Sequence, residues 1–158
     1  MIRRFDLFVP GRPVPQGSKT AFVSKSTGRP IVVDKDVRLP QWRMTITAHA
    51  LERKDKTPGL DFPMVGPIGA RITFVLNRPK NHFGTGKNAS LVKPGSPKYP
   101  ATMPDIDKLL RAVLDGLTDA GVWVDDGQVV WVQTIKVYTD QTLGSRSEGV
   151  EVTLGLMP

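Results

Sequence analysis

The feature that most constrains this chain is a stripe of apolar residues in its second half. Its members recur at the three- and four-residue spacing that places side chains on one face of an α-helix. They are Ile106, Leu109, Leu110, Val113, Leu114 and Leu117. Gly121 follows where such a helix would end. The pattern therefore predicts a helix that begins at Ile106 and packs one face against a core.

Strand-like segments surround this helix. Apolar residues alternate with others over residues 68–76, and the segments 5–9, 20–23, 30–33, 129–138 and 149–156 also have strand character. Residues 26–28 between the second and third of these predict a hairpin turn. An earlier helix is predicted from Leu39, Trp42, Ile46 and Ala50, with Pro40 in its first turn. This order predicts the α/β (α+β) class: a mixed β-sheet with two main helices in a single small domain, residues 1–158.

Length and composition narrow the class of protein. At 158 residues the chain is long enough for one domain with a real core. It has no cysteine, which excludes disulfides and thiolate zinc sites and is compatible with a reducing cytoplasm. No segment approaches the roughly 20 apolar residues that span a bilayer, and Asp6 and Pro10 interrupt any signal-peptide core. The sequence predicts a soluble, cytoplasmic protein with no membrane partner.

The charges are distributed unevenly along the chain. Residues 1–104 carry 18 Lys and Arg against 6 Asp and Glu, a balance of +12, whereas residues 105–158 carry 4 against 9, a balance of −5. No acidic residue lies between Asp61 and Asp105. Within that interval the polar segment 77–103 is long for a connection inside a compact domain and carries five cations. The distribution predicts a polyanionic partner such as nucleic acid, although a generally basic protein would also fit it.

Two pairs of aspartates are candidates for chemistry. Asp105 and Asp107 flank the start of the predicted helix, with Asp105 near the cap position and Asp107 in the first turn. Two aspartates at such a position can be ordinary caps. Asp125 and Asp126 precede a strand, and with Gly127 they could form an ordinary turn. Three carboxylates from the two segments would also suit a hard cation such as Mg²⁺ or Mn²⁺.

The motifs around these aspartates resemble those of a known family. The chain reads PDIDKLLRAVLDGL at residues 104–117 and GVWVDDGQVV at residues 121–130. Together they resemble the signature of the RusA family of Holliday-junction resolvases, which are often phage- or prophage-borne. The loop GRPVPQGSK at residues 11–19 resembles the Pro/Lys loop of that family, and the basic region 78–80 matches as well.

This resemblance implies a small α/β homodimer that nicks four-way DNA junctions symmetrically with Mg²⁺ or Mn²⁺, in the cytoplasm of a bacterium or a phage-infected host cell. By motif position, Asp105, Asp107 and Asp126 correspond to the catalytic, metal-binding carboxylates. Arg111 stands where the best-known members have lysine, and Lys108 where they have asparagine. Arginine holds its proton too firmly to act as an acid, so the expected role of Arg111 is to clamp phosphate.

The working hypothesis is metal-assisted phosphodiester hydrolysis in DNA recombination and repair. The metal would activate a bound water and neutralise charge developing at phosphorus, and Arg111 would hold the phosphoryl oxygens. Contacts to backbone phosphates are expected from five cations of the basic part of the chain. They are Arg12, Lys19, Arg78, Lys80 and Lys87.

Three alternatives remain open from the sequence. The protein could bind branched DNA without cutting it, with the aspartates acting as caps. It could be a less specific Mg-dependent nuclease that acts on flaps or RNA. An Asp-x-Asp site of a sugar transferase is a third reading, which the small size and basic bias disfavour.

Overall fold

A computed structural model describes residues 4–17, 19–34, 36–141 and 147–158. In these parts of the chain six strands and two α-helices occur, with short 3-10 turns between them. The strands are β1 (Arg4–Pro10), β2 (Lys19–Val23), β3 (Pro30–Asp34), β4 (Ile68–Leu76), β5 (Val129–Tyr138) and β6 (Gly149–Leu156). The helices are α1 (Leu39–Asp55) and α2 (Ile106–Asp119).

Four of the strands form one mixed sheet in the order β1-β6-β4-β5. The pairs β1–β6 and β6–β4 are antiparallel, whereas β4 and β5 are parallel and α2 lies between them in sequence. β2 and β3 form a separate hairpin. The result is a mixed α/β domain, as the sequence predicts, with each predicted strand and helix present.

Three rows of apolar side chains cross the main sheet on the face that the helices cover. Each row takes one buried residue from β1, β6 and β4, so alternation along each strand becomes a continuous buried surface. The rows are Phe5, Leu154 and Ala70; Leu7, Val152 and Ile72; and Val9, Val150 and Phe74. The opposite face is polar at its centre, where Thr153 donates a hydrogen bond to Asp6 and Arg71 donates one to Gln133.

The two helices pack on each other and complete the core. α1 buries Leu39, Trp42, Ile46 and Ala50, the four residues that predict it. The helices approach closely at Gly116, where an added Cβ would lie 2.8 Å from Ile46 Cγ2. α2 begins at Ile106 and ends before Gly121, whose φ of +63° suits glycine. None of the helices in the described residues is long and apolar enough to cross a membrane.

The connection between β4 and α2 is irregular, as the sequence predicts. It contains two 3-10 turns, Lys80–His82 and Gly86–Asn88, and an isolated bridge between Phe83 and Val92. Arg78 fixes its beginning, since the guanidinium bonds both Asp140 oxygens at 3.1 and 2.9 Å and the Pro97 carbonyl at 2.8 Å. The connection is therefore held to the end of β5 rather than being a free loop.

Candidate active site

The first candidate residue, Asp105, lies at the junction where extended chain turns into α2. Its backbone is extended and it occupies the N-cap position, but its side chain makes no capping hydrogen bond. Instead it accepts a hydrogen bond from Lys108 Nζ at 2.7 Å. This hydrogen bond and the positive charge of Lys108 lower the pKa of Asp105. Asp105 is thus a half-exposed, ionised carboxylate that the helix does not use as a cap.

Asp107 and Arg111 extend the site along the first turns of α2. Asp107 is in the first turn, and Arg111 follows four residues later, which places the two side chains on the same side of the helix. Both side chains are exposed. A carboxylate pair and a guanidinium therefore stand at one helix end, open to a ligand in solvent.

A residue that the sequence motifs do not reveal fixes the approach to this helix end. Lys136 on β5 donates from Nζ to the carbonyl oxygens of Thr102 at 2.7 Å and Pro104 at 2.9 Å. Lys136 pairs with Phe74, which places it in line with the buried row on the helix face of the sheet. Its charge therefore stabilises the segment that presents Asp105.

Gln16 connects the N-terminal loop to α2 and was likewise absent from the sequence-based set. Its backbone N–H donates to the Lys108 carbonyl at 2.9 Å, and its buried side chain donates to Asp115 Oδ2 at 2.6 Å. Arg43 of α1 also approaches Asp115, at 3.8 Å. Asp115 thus serves packing between the loop and the helices. No short-range pattern reveals this contact, because its partners are 99 residues apart.

The second pair of aspartates divides into two roles. Asp125 caps the 3-10 turn Asp126–Gln128: its carboxylate accepts from Gly127 N at 2.7 Å, and the Gln128 side chain accepts from the Asp125 N–H. Gln128 also donates to the carbonyls of Met64 and Gly66. The side chain of Asp126 is exposed. Asp125 therefore has a structural task, whereas Asp126 points no comparable bond inward.

Asp126 lies far from Asp105 within one chain. Asp126 immediately precedes the start of β5, whereas Lys136, which holds Pro104, is near the end of that strand. Seven residues of strand separate Val129 from Lys136, a span of about 23 Å. α2 gives a similar value, because its 14 residues are about 20 Å long and lead from Asp105 back toward the start of β5.

The described residues contain no group of three or more acidic or histidine side chains that could hold a metal ion. Asp105 and Asp107 offer the oxygen ligands that Mg²⁺ prefers. They are too few for the three-carboxylate set expected from the sequence, since Asp126 is at the other end of β5. One chain by itself therefore fits a two-aspartate site and not the complete set.

The expected phosphate-binding cations are placed differently from one another. Arg12, Lys19, Lys80 and Lys87 are exposed and available to a ligand. Arg78 is not comparable, because its side chain is only 5% exposed, pairs with Asp140 and lies 4.1 Å from the centre of the Tyr138 ring. We therefore assign Arg78 to the structure of the basic connection.

A cleft of about 400 Å³ opens beside the aspartates. The residues that line it come from the N-terminal loop, the end of β4, the basic connection and the segment before Asp105. Among them are Arg12, Asn77, Met103, Pro104 and Glu148. The cleft places one of the expected phosphate-binding cations and the residue before Asp105 along the same cavity.

The comparisons with known proteins agree with the motif pattern. A model of the family described as endodeoxyribonuclease RusA matches residues 10–153, nearly the whole chain. A search of curated proteins gave no significant match. The family match includes the N-terminal loop, the basic connection, the aspartates before and within α2, and the Asp125-Asp126 turn. The chain therefore belongs to the RusA family of endodeoxyribonucleases.

Proposed function

We propose that this protein is a divalent-metal-dependent endodeoxyribonuclease that resolves four-way DNA junctions by paired, symmetric nicks, in DNA recombination and repair. The observation that carries the proposal is an exposed Asp105-x-Asp107 pair at the start of α2 in a chain of an endodeoxyribonuclease family. The exposed cations Arg12, Lys19, Lys80 and Lys87 support a DNA substrate, because sequence-independent affinity comes from phosphate contacts.

Each residue of the site has a proposed task. Asp105 and Asp107 bind Mg²⁺ or Mn²⁺, and Asp126 completes the set of ligands. When bound, the cation supplies Lewis-acid stabilisation of charge at the scissile phosphate. Arg111 holds the phosphoryl oxygens through its planar guanidinium. Lys108 keeps Asp105 ionised and must give up its hydrogen bond for Asp105 to bind the cation.

The proposed substrate suits a homodimer. A four-way junction has approximate two-fold symmetry, and a two-fold protein dimer presents one site to each of two opposed strands. Paired nicks at symmetric positions then follow from the symmetry of the protein.

The test is cleavage of a synthetic mobile four-way junction by the purified protein, with and without Mg²⁺, against duplex and flap controls. We expect Mg²⁺-dependent nicking of the junction alone. Asp107→Asn should reduce the cleavage rate by about 100-fold or more and leave junction binding intact. Asp61→Asn, which removes an exposed carboxylate outside the site, is the matched control and should leave the rate unchanged.

Different failures of this experiment favour different functions. Junction binding without Mg²⁺-dependent cleavage by the wild-type protein would favour a non-catalytic branched-DNA-binding protein. Equal cleavage of flaps, duplex and junctions would favour a less specific nuclease. Full activity of Asp107→Asn would overturn the assignment of the site.

A further inference from the structure

The outer edge of β5 is an open strand edge. Within the described parts of the chain, no strand pairs with it, because β5 is the last strand of the sheet. Its side chains include four large apolar groups with considerable exposure. They are Val130 at 62%, Trp131 at 45%, Val132 at 37% and Ile135 at 43%. An apolar, unpaired edge of ten residues is a site at which another strand readily adds.

This edge lacks the devices by which proteins protect exposed strands. β5 contains no proline, and its one charged residue, Lys136, is held by the carbonyls of Thr102 and Pro104. The other edge of the sheet is different. β1 carries Arg4 and Asp6 and ends at Pro10. The contrast singles out β5 as the edge that another strand covers.

The occupant that best fits the edge is a second copy of β5. Antiparallel pairing about a two-fold axis near Val132 and Gln133 would place the apolar run of one protomer against the same run of its partner. The two four-stranded sheets would then form one eight-stranded sheet, and the helices of both protomers would lie on the same face. A nucleic acid is a poor occupant, because the run 130–135 carries no charge.

Such pairing would also bring the separated aspartates together. In an antiparallel pair, the start of one strand lies beside the end of the other. With the axis between residues 132 and 133, Asp126 of the partner subunit would lie opposite residue 139. That position is close to Lys136, which holds the segment immediately before Asp105. The pairing therefore removes the separation of about 20 Å that divides the three aspartates within one chain.

We propose that the active site is shared between two protomers: Asp105 and Asp107 come from one chain and Asp126 from its partner across paired β5 strands. This inference rests on the proposed function for its catalytic meaning, and on the open edge of β5 for its geometry. A monomer would then have no complete site, and each dimer would have two, about 20 Å apart on the helix face of the sheet.

Mixed dimers test the sharing directly. One differently tagged chain carries both Asp105→Asn and Asp107→Asn, and the other carries Asp126→Asn; dimers that contain both tags are isolated. If the site is shared, one of the two sites has all three aspartates, and the mixed dimer should nick one junction strand at about half the wild-type rate. If each chain holds its own site, both sites lack a ligand and the mixed dimer should be as inactive as either parent, which would overturn the proposal.

A control mixture excludes exchange of chains as the source of activity. A chain with Asp105→Asn paired with a chain with Asp107→Asn has a defect in both sites under either arrangement, so it should be inactive. Binding of Mn²⁺, followed by electron paramagnetic resonance, gives a readout without DNA. The informative mixed dimer should bind about half as much Mn²⁺ as the wild type, and binding no greater than that of the parents would contradict sharing.

Cross-linking tests the strand pairing independently of nuclease activity. Because the chain has no cysteine, single substitutions Val132→Cys and Gln133→Cys introduce unique thiols near the proposed axis. Directly opposed residues have Cα atoms about 4.5–5.5 Å apart, which suits a disulfide. At least one variant should form a disulfide-linked dimer on oxidation, whereas Arg4→Cys on β1 should not.

The outcomes separate this inference from the proposed function. Failure of both β5 variants to cross-link, or a monomer by sedimentation, would overturn the shared site. A cross-linked dimer that binds Mn²⁺ but does not cut junctions would leave the pairing in place and overturn the proposed function. A wild-type enzyme that cuts, combined with inactive mixed dimers, would overturn the shared site alone.

Discussion

At the scale of single residues, the hydrogen bond from Lys108 to Asp105 competes with a metal for the same carboxylate. Replacing Lys108 with asparagine removes that competitor. Exposed ion pairs are weak, so we expect Lys108→Asn to tighten Mn²⁺ binding by about two- to fivefold at neutral pH. Titration by electron paramagnetic resonance measures the change, with Lys25→Asn, a change at an exposed lysine outside the site, as control. Unchanged affinity would show that the pair does not compete.

The same ion pair gives a pH dependence with a definite sign. Lys108 lowers the pKa of Asp105, so in the wild type this carboxylate stays ionised to a lower pH than an unpaired aspartate. The pair contributes to folding above the pKa of an unfolded aspartate, and the contribution disappears as pH falls through the lowered value. In Lys108→Asn the acid loss of Mn²⁺ binding should therefore shift to higher pH. A shift to lower pH would contradict the assignment.

Arg111 provides a third prediction at this scale. If its guanidinium holds phosphoryl oxygens, Arg111→Gln should lower the rate of bound junction cleavage by about 10²- to 10³-fold. Arg111→Lys keeps the charge and should recover most of that loss. Single-turnover rates at saturating protein separate this effect from DNA affinity. Equal rates for both variants and the wild type would remove Arg111 from the mechanism.

Sequence alone reveals the residues of the site whose positions depend on local patterns. The apolar stripe that begins at Ile106 indicates that Asp105 occupies a helix junction, and the structure places it at the N-cap position. The contacts of Lys136 and Gln16 could not be found in this way. Their partners are 32 and 99 residues distant, so only the folded chain brings them together.

At the scale of elements, the basic connection contains two cations with opposite expected effects. Arg78 is buried against Asp140, Pro97 and Tyr138, so Arg78→Ala should lower the free energy of unfolding by about 1–3 kcal/mol. Lys80 is exposed, so Lys80→Ala should leave stability unchanged. It should weaken junction binding and reduce the slope of log affinity against log salt by about 0.9.

Urea denaturation and binding titrations over a range of salt concentrations measure these two effects. The pair forms its own control, because the two residues differ by only two positions and carry the same charge. A loss of stability in Lys80→Ala, or a salt slope reduced by Arg78→Ala without a loss of stability, would contradict the division of roles.

The elements themselves follow from the sequence more completely than their arrangement. Alternation in residues 68–76 and 149–156 is a local property, and β4 and β6 span the same residues. The order β1-β6-β4-β5 depends on pairings between distant segments, which no local pattern contains. That order has a functional consequence, because it leaves β5 at the edge and places Asp126 at the opposite end of that strand from Asp105.

At the scale of the whole molecule, a shared site makes activity depend on protein concentration. Ile135 is exposed on the edge strand, and Ile135→Lys would bring a charge into the proposed seam near its two-fold axis. We expect this variant to weaken dimerisation by at least about tenfold, since burying an unpaired charge costs more than 1.4 kcal/mol. Ile31→Lys, at a residue of similar exposure on β3, should dimerise like the wild type.

The rate of junction cleavage should follow the dimer and not the total protein. For Ile135→Lys, we expect a rate that rises with the square of protein concentration below the dissociation constant and approaches the wild-type rate above it. Sedimentation velocity over the same concentrations measures the dimer fraction independently. A first-order dependence, with cleavage by a protein that sediments as a monomer, would show that one chain holds a complete site. Recovery at high concentration would show that the substitution affects assembly and leaves the chemistry of the site intact.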